Sequence, residues 1–381
     1  MPASTAQRHD EQHALLRLLA SGAAAGGLRR LLDSHGSATA ALAAGARDWA
    51  SHGLGADARA AIRNPGREAI ARGECWLDAP GRQLIGWRDP DYPPLLRRIS
   101  GPPAMLFVAG DAGLLWRPAV AVVGSRAATA GGCANAASFA AALAAAGLCV
   151  TSGLAAGIDA AAHNAALDAG GATLAVLGTG PDIAYPPRHR PLLERMATHG
   201  AVVSEHLPGT QPLKQHFPSR NRILAGLSLG TLVIEAADRS GALITARLAA
   251  DAGREVFALP GSIHNPMARG CHRLIREGAT LVESADEVLA LLGPLAADLA
   301  RALRGELGTP IAGVEPILET TLPSDPDYNR LWQALGHDPT GMDELVERSG
   351  LTAAALSSML LALELEGRVA AEHGRYCRIG V

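Results

Sequence analysis

Lysine is nearly missing from this chain: of its 34 Lys/Arg positions only Lys214 is a lysine, and the rest are arginine. Aromatic residues make up 3% of the 381 residues, too few for a long platform of stacked rings. An excess of one charge is also missing, since 34 cations against 37 acids leave a net charge of −3. A nucleic acid would therefore have to be met by a local patch rather than by a general basic field. Cysteine is sparse and scattered (Cys75, Cys133, Cys149, Cys271, Cys377), with no C-x-x-C pair. That excludes a disulfide framework and a zinc ribbon and fits a reducing cytoplasm. Long apolar runs are absent too. The stretch 139–150 falls well short of the ~18 residues of a membrane span. The first residues lack a charged region leading into an apolar core, so no signal peptide and no membrane partner are expected.

The common catalytic signatures are absent as well. No G-x-x-x-x-G-K-[ST] occurs, nor a G-x-S-x-G elbow, and Gly124-Ser125-Arg126 stands where a dinucleotide fold would carry G-x-G-x-x-G. His163, His189, His206, His216 and His264 lack metal-ligand spacing. No cofactor or metal is expected.

What is present is concentrated. The lone lysine opens Lys214-Gln215-His216-Phe217-Pro218-Ser219-Arg220-Asn221-Arg222, which places three cations and one of only 4 phenylalanines within a short segment. An ammonium is a compact charge suited to phosphate, and a phenylalanine offers a flat face to a base. The combination points to single-stranded nucleic acid.

The organisation falls into four stretches. Residues 1–65 read as short helices with leucines at helical spacing, a small helical module of the sterile-alpha-motif or helix-hairpin-helix kind. Residues 66–292 hold an irregular, proline-rich lead-in to 117 and then apolar runs at 119–123, 148–151, 172–177, 201–204, 231–234, 255–259 and 279–282, alternating with helices. That alternation predicts an α/β doubly wound, mainly parallel sheet. Residues 293–326, with Pro294, Pro310, Pro316, Pro323 and Pro326, read as a linker. Residues 327–381 read as a winged helix: helices at 327–335, 342–348 and 352–366, a tight turn at Gly350, and a wing at 368–379.

In an open α/β sheet the ligand sits beyond the carboxyl ends of the strands. Gly124-Ser125-Arg126, Ser152-Gly153-Leu154-Ala155-Ala156-Gly157-Ile158-Asp159, Gly178-Thr179-Gly180 and Pro260-Gly261 all fall there. Glycines let backbone N–H groups approach an anion, and helix N-termini favour one. Arg126 adds a charge-assisted contact. The expected ligand contacts are thus Arg126, Lys214 and Phe217, with Gly124, Ser125, Ser152, Gly153, Asn221 and Arg222 beside them. Asp159 and Glu235 read as helix caps or orienting groups rather than as an acid and a base, and Ser240 as an N-cap. The third helix of the winged unit offers no cation, asparagine or glutamine over 352–359, which argues against groove reading of a duplex.

The chain resembles the DNA-processing protein A family (DprA, also called Smf). The resemblance is carried by Val123-Gly124-Ser125-Arg126, by Ser152 to Asp159, by Phe217-Pro218-Ser219-Arg220-Asn221-Arg222-Ile223 with Ala225-Gly226-Leu227-Ser228, and by Glu235-Ala236 followed by Ser240-Gly241-Ala242-Leu243-Ile244-Thr245-Ala246. It implies an extended Rossmann-like domain between a helical module and a winged helix, in a cytoplasmic homodimer that is not an enzyme. It further implies a protein that binds single-stranded DNA without base specificity, protects it during natural transformation and loads the RecA recombinase past single-strand-binding protein. Arg126, Lys214 and Phe217 take the family's DNA-contacting positions. A distant similarity to nucleotide phosphoribohydrolases offers the enzymatic alternative. Their P-G-G-x-G-T-x-x-E is not matched, because Leu229-Gly230-Thr231-Leu232-Val233-Ile234-Glu235 lacks the leading Pro-Gly-Gly and spaces the glutamate one residue further.

Overall fold

The computed structural model describes residues 5–306, 326–335, 340–353, 355–356, 359–360, 363, 369–372 and 375–378. Two compact units divide the chain, Met1–Leu307 and Gly308–Val381.

In the first unit, apolar runs form nine strands: β1 (Arg82–Gly86), β2 (Met105–Gly110), β3 (Ala119–Val123), β4 (Cys149–Ser152), β5 (Thr173–Leu177), β6 (Ala201–Ser204), β7 (Gly230–Val233), β8 (Glu255–Ala258) and β9 (Thr280–Leu281). Their order in the sheet is β1-β2-β6-β5-β4-β3-β7-β8-β9. From β6 to β9 every pairing is parallel, whereas β1–β2 and β2–β6 are antiparallel. The proline-rich lead-in is therefore not irregular throughout. It carries a hairpin that extends the sheet by two strands.

Alternation along β3 shows why the sheet is covered on both faces. Ala119, Ala121 and Val123 join one apolar cluster with helices His216–Leu227, Ala242–Asp251 and Arg269–Arg276. Val120 and Val122 join another with helices Ala130–Ala145 and Ile158–Asp168. A parallel strand buried on both sides reads as a continuous apolar run. On this second face, the N-terminal helices share a core with β1, β2, β5 and β6. Leu16, Leu28 and Leu31 pack in one cluster with Met105, Phe107 and Val202.

The expected linker also begins differently. Helix Ala285–Glu306 runs straight through Pro294. An interior proline costs about 3 kcal/mol. Here Val288, Leu292 and Leu299 are buried against the Phe139 cluster, and that burial offsets the cost.

The second unit has helices Pro326–Ala334 and Met342–Ser349 and an antiparallel sheet of Thr340–Gly341, Arg375–Arg378 and Val369–Glu372, with Arg375–Arg378 in the middle. Gly350 ends the second helix with φ 69° and donates its N–H to Val346, the turn for which glycine is suited. The expected helix 352–366 falls partly, and Arg368 and residues 307–325 entirely, outside the described residues.

Candidate functional site

β3 has β4 on one side and β7 on the other. The connections leave β3 and β7 in opposite directions, which makes the carboxyl ends of these two strands the topological switch point. A cavity of about 700 Å³ opens there, lined from the loops after β3, β4, β5, β6 and β7.

Each loop has a physical reason for its path. The backbone N–H of Ser125 donates to Glu235 O at 2.7 Å, joining the β3 loop to the β7 loop. The Glu235 carboxylate accepts from Thr129 N (2.9 Å) and Thr129 Oγ1 (2.6 Å), while Thr129 Oγ1 accepts from Gly132 N (2.9 Å) and caps helix Ala130–Ala145. Glu235 is a brace for that helix start, as a carboxylate near a positive helix end favours. Asp159 is buried, and its Oδ2 accepts from Gly153 N (3.1 Å) and Ala155 N (3.3 Å). Burial pushes its carboxyl above the usual range, against the pull of Arg220 and of those two N–H groups.

Arg220 is the buried centre of the arrangement. Its Nη1 donates to Gly153 O at 2.7 Å and to Val176 O, and its Nε donates to Asn221 Oδ1 at 2.9 Å. A side chain at Gly153 would collide with its guanidinium. Gly157, at φ 78°, lies against Ser125 O, and a Cβ there would overlap it. At these two glycines the packing of one loop on another leaves no room for a side chain. Gly124 lines the cavity, but a side chain there would also meet Ile158 at 2.5 Å. Gly178, Gly180 and Gly261 are absent from the cavity lining.

Helix His216–Leu227 supplies one wall through Phe217, Asn221 and Leu224. The spacing i, i+4, i+7 puts them on one helix face. Arg222 is turned away: it pairs with Glu205 at 2.6 Å and does not line the cavity. Ser152 is fully buried and donates to Val122 O at 2.7 Å, also outside the lining. Ser125 is in the lining, with its Oγ accepting from Ala127 N at 3.1 Å. Ser240 lines the cavity and also caps the start of helix Ala242–Asp251, its Oγ accepting from Ala242 N at 3.3 Å.

The charge of the lining is one-sided. Arg126, Lys214 and Arg239 are exposed, and among the described residues none of them makes an ion pair. Among the described residues the one carboxylate in the lining is the buried Asp159. The Arg126 guanidinium carbon sits 5.2 Å from the centre of the Phe217 ring, within cation–π range. The Tyr185 ring lies 5.1 Å from the Phe217 ring with the planes 40° apart.

Arg126, Lys214, Phe217, Ser125, Gly124 and Asn221 thus surround one opening. Arg220, Arg239 and Tyr185 join them without having been read as ligand contacts from the sequence. Arg239 and Tyr185 had a usable signal in their position beyond the ends of β7 and β5. Arg220 had the helical period.

The sequence profile of a family described as DNA recombination-mediator protein A matches residues 83–293, and that of a DprA winged helix domain matches residues 316–375. The chain is 41% identical over 314 residues to Protein Smf of Escherichia coli, covering 82% of each chain. It is 50% identical over 202 residues to DNA processing protein DprA of Streptococcus pneumoniae, covering 53% of this chain and 71% of that one. A crystal structure of the Streptococcus pneumoniae protein aligns with TM-score 0.65 at 38% identity, over 73% of this chain and 97% of that chain. A Helicobacter pylori DNA processing protein A, described for its single-stranded DNA binding mode, aligns with TM-score 0.51 at 27% identity, over 55% of this chain and 95% of that chain.

Proposed function

The chain belongs to the DNA recombination-mediator protein A family, and we propose that it binds single-stranded DNA, without base specificity, in the cavity beyond β3 and β7. The observation that carries this reading is the trio of exposed cations Arg126, Lys214 and Arg239, none in an ion pair among the described residues, around one opening that also presents the Phe217 ring. Phosphates lie against the cations and a base lies on Phe217. Ser125, Gly124 and Asn221 border the strand, while Ser152, Gly153 and Arg222 hold the loops that carry the contacts.

With aromatics so few, phosphate contacts dominate, so binding weakens steeply with salt. One stacked base adds about 1–3 kcal/mol. The family resemblance extends the reading: a homodimer sets two such cavities on one strand and gains by effective concentration. It delivers the strand to the RecA recombinase, past single-strand-binding protein, during natural transformation in the cytoplasm. Nothing in this reading requires catalysis, a cofactor or a metal.

The test is fluorescence anisotropy with labelled oligo-dT and a matched duplex across a salt series, for the wild type and Lys214→Glu. Salt-sensitive preference for the single strand, lost in the variant, is the expected result. Duplex preference, or indifference to Lys214, overturns the assignment.

A further inference from the structure

A second cavity, of about 180 Å³, adjoins the first and shares with it Arg126, Tyr185 and Phe217. Pro186 and Arg188 belong to this second cavity alone. Tyr185 is 40% exposed. Scattered exposed rings need no explanation, but this one abuts a second ring and has exposed arginines on the same wall. Arg188 makes no ion pair among the described residues.

The loop that carries both residues is fixed by its own hydrogen bonds. Thr179 Oγ1 donates to Ile183 O at 2.6 Å, Gly180 N donates to Thr210 O at 2.9 Å, and His189 Nδ1 lies 2.9 Å from Leu154 O. Tyr185 therefore needs little ordering when a ligand arrives, which lowers the cost of binding.

We propose that Tyr185 and Arg188 form a second nucleotide subsite, in which the Tyr185 ring carries the base next to the one on Phe217 and Arg188 meets a neighbouring phosphate. The proposal rests on the single-stranded DNA reading above. The two rings are in contact, so no base slides between them, and a base on Phe217 shares that ring with the Arg126 guanidinium. Their planes diverge by 40°, whereas bases in a helical strand stay parallel at about 3.4 Å. Two successive bases seated on these rings must unstack from each other. A single strand does this readily, but a duplex would first have to lose its pairing and stacking. The subsite thus turns ring geometry into a preference for single strands.

Anisotropy with oligo-dT and matched duplex is run on the wild type, Tyr185→Ala, Tyr185→Phe, Arg188→Ala and Lys214→Glu, with circular dichroism melting as the folding control. Tyr185→Ala is expected to weaken oligo-dT binding about 10-fold while duplex binding is unchanged, and Tyr185→Phe to bind like the wild type. Arg188→Ala is expected to lower the salt slope by about one. Wild-type binding by both Tyr185→Ala and Arg188→Ala, with Lys214→Glu still defective, overturns the subsite and leaves the main cavity standing. A loss in Tyr185→Ala that Tyr185→Phe shares overturns the stacking role. A wild type indifferent to oligo-dT removes both readings together.

Discussion

The guanidinium of Arg220 occupies the space that a side chain at Gly153 would need. The same guanidinium donates to Gly153 O and Val176 O, so one residue from the β6–β7 crossover holds the ends of β4 and β5 together. Arg220, buried at the base of the lining, therefore places the loops that present Arg126 and Phe217. Gly153→Ala forces the guanidinium aside. Overpacking of this kind costs about 1–3 kcal/mol. A lower denaturant midpoint is expected, and an unchanged midpoint would show that Arg220 can relax without loss.

Lys214 is exposed and unpaired among the described residues, so its replacement disturbs no packing. Lys214→Glu is expected to reduce oligo-dT affinity on the order of 100-fold at low salt while the melting curve stays put. Anisotropy and circular dichroism read the two effects separately.

Phe217 and Arg126 touch but contribute differently. Phe217→Ala is expected to weaken binding by about 1–3 kcal/mol with little change in salt slope. Arg126→Ala is expected to lower the slope by about one. If Phe217→Ala instead changed the slope as much as Arg126→Ala, the ring would be acting only as a support for the guanidinium.

Thr129 and Glu235 form a cap whose loss should be felt in stability. Glu235→Ala leaves Thr129 N without its acceptor and opens space beside Gly132. A loss of about 1–2 kcal/mol is expected in urea melts. Activity as a binder is expected to fall with it, since Ser125 and Arg126 lie on the same loop.

Acid sensitivity follows from two histidines. Burial holds His163 down to about 3 and His206 down to about 4, with Arg220 and His216 as the next causes respectively. Both are neutral in the folded state, while the unfolded chain protonates them near 6.5. Stability is complete above that value and falls as pH drops from 6.5 towards 4, by up to about 1.4 kcal/mol per pH unit for the fully buried His163. Asp159, raised by burial, works in the opposite sense above its unfolded value. Urea midpoints between pH 7 and 4.5 check this. His163→Gln should flatten the slope.

The parallel strands β3 to β7 were legible because each is buried along its length and reads as a largely apolar run, whereas β8 and β9 are partly exposed. The β1–β2 hairpin was not legible. Pro93, Pro94, Pro102 and Pro103 flank its short strands, and its pairing is antiparallel and sequence-local. Arg126, Lys214 and Phe217 could be found by residue type and rim position. The wrong placement of Arg222 beside them has a simple origin. On a helix, Arg220 and Arg222 point about 200° apart, so a segment read as a string of cations presents only part of its charge to the cavity. The roles of Ser152 and Gly153 required contacts with Val122 and Arg220 that no linear spacing reveals.

The crossover from β6 to β7 carries a consequence for synthesis. The helix bearing Phe217 and Asn221 crosses to the far side of β3, and the lining closes only with residues 237–245, beyond β7, and Met267, beyond β8. A growing polypeptide that has laid down β3 to β6 holds Arg126 and Lys214 but no enclosed opening between them. The opening that would take a strand is therefore expected to be complete only late in translation, once the segments after β7 and β8 have left the ribosome.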